Sequence, residues 1–177
     1  IIGQELPSGQ FITYTYDALN RVVSVADQLG IMQTYTYDAN GNVIAQTDAE
    51  GHVNTFQYDA LNRMIQATDA EGHSVFFSYD NNGNVLSYTD ANGNTTLYTY
   101  DAMDQLLTQR DALNNVTTYT YDANGNVASV MDARGNTTSY QYDVNDRLTT
   151  ITFANGKTKQ FVYDANGNTV AFTDESG

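Results

Sequence analysis

The stretch YDANGN occurs at residues 37–42, 121–126 and 163–168, and the variant YDNNGN at 79–84. Between them stand YDALNR at 16–21 and 58–63 and the related YDAMDQ at 100–105 and YDVNDR at 142–147. The Tyr-Asp pairs are thus Tyr16-Asp17, Tyr37-Asp38, Tyr58-Asp59, Tyr79-Asp80, Tyr100-Asp101, Tyr121-Asp122, Tyr142-Asp143 and Tyr163-Asp164, one every 21 residues without a slip. Self-similarity at a fixed period of this length marks a repeat architecture. The unbroken register predicts one array of eight repeats over residues 1–177. Its opening on Ile1-Ile2, without Met or a basic-then-apolar leader, reads as a fragment or mature piece of a larger protein.

A second mark follows eleven residues after each Tyr, at Asp27, Asp48, Asp69, Asp90, Asp111, Asp132 and Asp174, replaced by Phe153 in one repeat and by Leu6 upstream. Taking every mark as position i of a turn, position i+3 is always Gly, Asn or Asp. These residues tolerate positive φ best, and a type I turn followed by a left-handed residue closes a hairpin with a G1 bulge. Asp at position i suits the same turn, because its carboxylate accepts a backbone N–H two residues on. Positive φ is therefore expected at Gly30, Gly41, Gly51, Gly72, Gly83, Gly93, Gly125, Gly135, Gly156 and Gly167, and equally at Gly9, Gly177 and the Asn and Asp occupants. Every glycine except Gly3 stands at this position.

Short strand-like segments fill the intervals. One kind follows the Tyr-Asp turn, as in VVSVA (22–26) and TVAFT (169–173); the other runs into the next Tyr, as in QTYTY (33–37) and KQFVY (159–163). In the second kind an aromatic precedes each Tyr by two residues: Tyr14, Tyr35, Phe56, Phe77, Tyr98, Tyr119, Tyr140 and Phe161. Alternate strand residues share a face, so one face of the sheet is expected to carry an aromatic ladder. Its plain interpretation is cross-strand packing; its functional one is stacking on sugar rings or on the apolar surface of a cargo. The YDALNR and YDANGN turns alternate, which suggests a true unit of about 42 residues. Arg21, Arg63 and Arg147 belong to the first type, each placed to pair with a neighbouring turn Asp.

Tyr-Asp followed by Ala-x-Gly-Asn and a Val, at this spacing over the whole chain, resembles the Rhs or YD-repeat family of Rhs effectors, toxin-complex B and C components and teneurins. The resemblance implies an all-β ribbon of antiparallel hairpins, curled into a spiral, shell-like sheet. In bacterial members it further implies a secreted or cell-surface protein whose shell encloses a toxic polypeptide. The Asp-Pro-type autocleavage motif that ends the family's core domain is missing here, as is a variable toxin tail. Counting Ile1–Glu5 first and Thr169–Thr173 last gives about 17 strands, a strip about 80 Å long at about 4.8 Å per strand. Such a strip must curl, find a second layer or meet a partner to cover its aromatic face. A parallel solenoid with one coil per period is an alternative, though two turns per period suit hairpins better.

The expected role is that of a non-enzymatic structural segment of a shell or stalk, with the rest of a parent shell protein, or another copy through its edge strands, as partner. A polypeptide cargo is a further partner. Alternatives are a recognition or adhesion module that binds glycans, and a self-associating β-fibre subunit. A formal charge of −14 disfavours nucleic acid, which needs a basic footprint. No apolar run is long enough for a membrane-spanning helix, and the absence of Cys removes disulfides and thiolate chemistry. The acidity comes from turn chemistry, and both rims of the ribbon are expected to be negative, attracting calcium only loosely and without specificity. No cofactor is otherwise expected. An EF-hand loop needs Gly at position 6 and Glu at 12, whereas DANGN places Gly at position 4 with no Glu to follow. His52 and His73 fall on one rim with no third ligand at matching spacing, and adjacent His73 and Ser74 point to opposite faces. No catalytic or metal residue is therefore assigned.

Overall fold

The computed structural model describes residues 2–5 and 11–174, so the expected turn residues Leu6, Gly9, Glu175 and Gly177 lie outside the described residues. These residues form 17 strands and no helix. The strands are β1 (Ile2–Glu5), β2 (Phe11–Tyr16), β3 (Val22–Asp27), β4 (Gly30–Tyr37), β5 (Val43–Asp48), β6 (Val53–Tyr58), β7 (Met64–Thr68), β8 (Ser74–Tyr79) and β9 (Val85–Thr89). The remainder are β10 (Thr95–Tyr100), β11 (Leu106–Arg110), β12 (Val116–Tyr121), β13 (Val127–Met131), β14 (Thr137–Tyr142), β15 (Leu148–Thr152), β16 (Thr158–Tyr163) and β17 (Thr169–Thr173). The chain divides into two compact units, Ile1–Ser78 with Tyr88–Gly93, and Tyr79–Ser87 with Asn94–Gly177.

In the first unit each strand from β1 to β8 pairs antiparallel with the next. The second unit repeats this from β10 to β17. The class is all-β, a meander of hairpins, and the solenoid reading is set aside because sequence neighbours are antiparallel. Seven of the hairpins that end at a Tyr-Asp carry an irregularity that plain alternation did not anticipate. Tyr16 pairs with Val22 and Thr15 with Ser24, leaving Val23 unpaired, and the same β-bulge recurs at Tyr37, Tyr58, Tyr100, Tyr121, Tyr142 and Tyr163. The extra residue strengthens local twist. It also resets the faces, so that positions three apart, Val22 and Val25, lie opposite Tyr16 and Tyr14.

None of the described side chains is fully buried. Stability therefore rests on cross-strand pairs, the backbone ladder and the turns. On the aromatic face the ladder rings are flanked by aliphatic or Gln side chains: Tyr14 opposes Val25, Tyr35 Gln46, Phe56 Ala67, Tyr119 Val130 and Tyr140 Ile151. The ladder is thus a column in which rings alternate with slimmer residues on intervening strands. Phe161 opposite Phe172 departs from this pattern, with the Lys159 ammonium 5.6 and 5.5 Å from the two ring centres. Phe77 and Tyr88 meet directly at 5.3 Å. The other face carries hydroxyl pairs, Thr99 with Thr108 at 2.6 Å and Thr120 with Ser129 at 2.7 Å.

Candidate functional site

The chemistry-bearing side chains collect in the turns. In each regular turn the residue at i+3 donates its N–H to the carbonyl of residue i, and residue i donates to the carbonyl of i+4; for Asp17 these are Asn20 N at 3.1 Å and Arg21 O at 2.9 Å. The expected glycines all have positive φ, from 81° at Gly156 to 140° at Gly30, as do Asn20, Asn62, Asp104, Asn114 and Asp146 at 59–65°. At most of these turns the Asp then works with both oxygens. Asp38 Oδ1 accepts the N–H groups of Asn40 and Asn42 at 2.9 Å, and its Oδ2 accepts the Asn42 side-chain amide at 2.9 Å.

This second bond explains position i+4, a site the sequence reading did not single out. Arg21, Asn42, His52, Arg63, His73, Asn84, Asn115, Asn126, Asn136, Arg147 and Asn168 all return a side-chain N–H to the Oδ2 of their own turn's Asp. The sequence signal was present, because these positions hold only residues with a side-chain nitrogen. Ile31 is the exception among the Asp turns, and there the hairpin changes. Asp27 pairs directly with Gly30 across a two-residue loop, and the ladder slips between Val25 and Ala26. Phe153 shows the converse: its turn keeps the backbone bonds without any carboxylate.

The carboxylates are electrostatically tuned by these donors. The Arg21 backbone N–H, and then its guanidinium, hold Asp17 below the ordinary carboxylate value, and the Asn42 side-chain amide does the same for Asp38. At Asp48 desolvation is the largest single influence and pushes upward, but the bonds and charge of His52 and the Glu50 backbone N–H together outweigh it. The Asp48 hydrogen bond in turn raises His52.

Successive Tyr-Asp turns are locked to one another in two alternating ways. Asn40 and Asn42 both donate to Asn62 Oδ1, at 2.9 and 2.8 Å. In the second unit Asn82 and Asn84 converge likewise on Asp104, and Asn124 and Asn126 on Asp146. The other link runs from Arg21 to the Asp38 carbonyl at 3.1 Å, its guanidinium stacked 4.5 Å from the Tyr37 ring centre. Arg147 repeats it on Asp164 and Tyr163. Arg21, Arg63 and Arg147 each pair with a turn Asp, that of their own turn, at 2.6–2.7 Å. At the Gly125 turn, glycine at i+3 gives the reaching group room, whereas at Gly41 the contact would be an ordinary one. A Cβ on Gly125 would stand 3.0 Å from the Gln105 amide nitrogen, and one on Gly41 3.9 Å from Arg21.

The tyrosines of the Tyr-Asp pairs have a separate task. The hydroxyls of Tyr37, Tyr58, Tyr100, Tyr121, Tyr142 and Tyr163 donate to the carbonyls of Val22, Val43, Val85, Leu106, Val127 and Leu148, at 2.6–3.0 Å. Each bond ties a Tyr to the strand that begins after the preceding Tyr-Asp turn. Ladder positions admit Phe, but these positions never do.

On the opposite row of turns, Asp48, Glu50 and His52 bring one ligand atom each within 4.8 Å of one another, as do Asp69, Glu71 and His73. The expectation that no third group accompanies the histidines is corrected, since the DAEGH turn folds its own Asp and Glu beside each ring. In both turns His Nδ1 already bonds the Asp carboxylate, at 2.9 and 3.1 Å. Shallow depressions beside this row are lined by Phe56, Ala67, His73 and Val75 in the first unit and by Asn136, Phe153 and Asn155 in the second.

A family model described as Teneurin YD-shell matches residues 7–125, and one described as RHS Repeat matches residues 121–158. Comparison with curated proteins gives no match. The crystal structures of TcdB2-TccC3-Cdc42 and of TcdB2-TccC3 each align at 18% identity and a TM-score of 0.81, over 97% of this chain and 11% of theirs. The Photorhabdus luminescens Tc holotoxin pore, with a mutated TccC3, aligns at 17% identity and a TM-score of 0.75, over 92% of this chain and 11% of its own. This chain therefore spans about a tenth of the length of those chains, and at such identities the likeness establishes a shared fold. With two thirds of its repeats matched by one family model, the chain belongs to the teneurin YD-shell family.

Proposed function

We propose that the chain is a structural, non-enzymatic wall segment of a YD-type shell or stalk, exported or displayed at the cell surface, that helps enclose or present a polypeptide cargo. The observation that carries this reading is where the polar side chains spend their hydrogen bonds. Turn Asp oxygens, Asn and Arg side chains and Tyr hydroxyls are directed at their own turn, the next turn or an adjacent strand. Chemistry distributed in this way makes a wall stiff and regular rather than concentrating reactive groups at one place. The solved TcdB2-TccC3 and Tc holotoxin structures support the same reading by fold.

The test is protease protection in a parent shell protein that carries these repeats. Excision of residues 16–163 is expected to expose the cargo to cleavage, whereas an intact array keeps it resistant. Unchanged resistance after excision would sink the wall reading. Selective binding of the isolated chain on a glycan array would favour the recognition role in its place.

A further inference from the structure

Six Asn-Gly dipeptides sit in turns of this chain, at 40–41, 82–83, 92–93, 124–125, 155–156 and 166–167. They share one backbone geometry. In all six the glycine has φ between 81° and 99°, and its N–H is bonded to the carbonyl at turn position i. The asparagine side chains differ sharply. Those of Asn40, Asn82 and Asn124 are tethered through Nδ2 to the acceptor of the next turn, Asn62, Asp104 and Asp146, at 2.9, 2.7 and 2.9 Å. Asn155 lies in the turn where Phe153 replaces Asp, and its Oδ1 accepts the Lys157 backbone N–H at 3.0 Å.

We propose that Asn155 is a site of spontaneous deamidation, and that the turn-to-turn tether shields Asn40, Asn82 and Asn124 from the same reaction. The Gly156 nitrogen attacks Asn155 Cγ, forming a new C–N bond. The Nδ2 amide leaves as ammonia, carrying away the proton that the glycine nitrogen loses. Water then adds to one of the two carbonyl carbons of the resulting succinimide and breaks its bond to nitrogen, giving aspartate or isoaspartate. No enzyme, metal or oxidant enters the balance.

Two features single out Asn155. The Lys157 N–H is a fixed donor on the oxygen where negative charge develops during attack, which is how an oxyanion is stabilised. The ring closed by that bond also contains both Asn155 Cγ and Gly156 N, so the reacting atoms are held over one another rather than left to rotamer search. At the three tethered sites the opposite holds. Rotation of the amide toward its own glycine must first break a hydrogen bond, made to a carboxylate at Asp104 and Asp146. Isoaspartate at 155 lengthens the backbone inside a turn that is closed by a 2.8 Å bond from Gly156 N to Phe153 O, so modification loosens that hairpin end.

The experiment is peptide mapping by mass spectrometry of the full chain, incubated at mildly alkaline pH and sampled over time. Asn155 is expected to convert first, about tenfold faster than Asn82 or Asn124, the factor that one hydrogen bond to a charged acceptor supplies, and about fivefold faster than Asn40, whose acceptor is the neutral Asn62 amide. Conversion of Asn155 no faster than those three overturns the proposal. The variant Asp104→Gly keeps the positive φ of 62° at that position and removes the acceptor. It should raise the Asn82 rate about tenfold while leaving Asn155 in the same sample unchanged. An unaltered Asn82 rate, or a rise shared equally by Asn155, overturns the shielding.

Discussion

Replacing Tyr121 with Phe removes a single atom, the hydroxyl oxygen that donates to the Leu106 carbonyl at 2.9 Å. Burial pushes this phenol's ionisation up, so the group is partly withdrawn from water and solvent only partly replaces the lost bond. A net contribution of about 1 kcal/mol is the ordinary worth of such a bond. The same change two residues earlier in β12, Tyr119→Phe, alters a ladder ring that faces Val130, at a position where other repeats already carry Phe. Its expected cost is below about 0.3 kcal/mol, within the range of neutral substitutions. Urea unfolding followed by circular dichroism separates the two. With a slope of about 1–3 kcal/mol per molar, Tyr121→Phe lowers the midpoint by roughly 0.3–1 M, while Tyr119→Phe leaves it in place. Equal shifts for the two variants would refute the claim that the Tyr-Asp tyrosines are selected for their hydroxyls.

Arg147→Lys keeps the charge but loses the fork on Asp143 and the stack on Tyr163, and should cost about 1 kcal/mol in the same urea assay; a neutral result would remove the guanidinium from the turn lock. Gly41→Ala forces a φ of 94° on an L-residue and should cost about 1–2 kcal/mol, whereas Asn20→Gly, at 63°, should shift thermal unfolding little. Folded-state values of Asp17, Asp38, Asp59, Asp111, Asp132, Asp143 and Asp164 lie below the ordinary 3.8. Their stabilisation is therefore complete above that value and lost as pH falls through the lower folded values, so acid melting monitored by circular dichroism should begin only below it. Melting that begins near neutrality would contradict this. His52 titrates above 6.5, so its contribution is full below that value and lost as pH rises through its folded one. His52→Asn, which installs the pairing of Asn115 with Asp111, should abolish that dependence in thermal melts across neutral pH.

The turns were legible because Gly, Asn and Asp recur at one position for one physical reason, positive φ, and that reason acts within four residues. The Tyr hydroxyl bond was not read, since it joins residues fifteen apart; its trace is that Tyr16 to Tyr163 never become Phe while ladder positions do. The bulge after each Tyr-Asp turn was hidden for a different reason. A run such as VVSVA is apolar at nearly every position, so a one-residue slip leaves no mark on its hydrophobic pattern. Ile31 illustrates the sensitivity of local rules to a single residue. Asp27 and Gly30 have the identities of a regular turn, yet the hairpin that leads into Ile31 closes in two residues. The slow alternation of YDALNR and YDANGN was visible as a pattern, but its meaning required knowing that Asn62 Oδ1 receives two amides from the turn before it.

That alternation imposes a parity on the gene as well as on the protein. A recombination event that deletes or duplicates 21 residues sets two glycine turns, or two asparagine turns, side by side. The amide bridge then has no partner: two glycine turns offer amides with no side-chain acceptor at i+3, and two turns with Asn or Asp at i+3 offer an acceptor with no amides. An event of 42 residues restores both links at once. Arrays of this kind should therefore grow and shrink by even steps, and an odd step should survive only where later substitution has rewritten one of the two like turns.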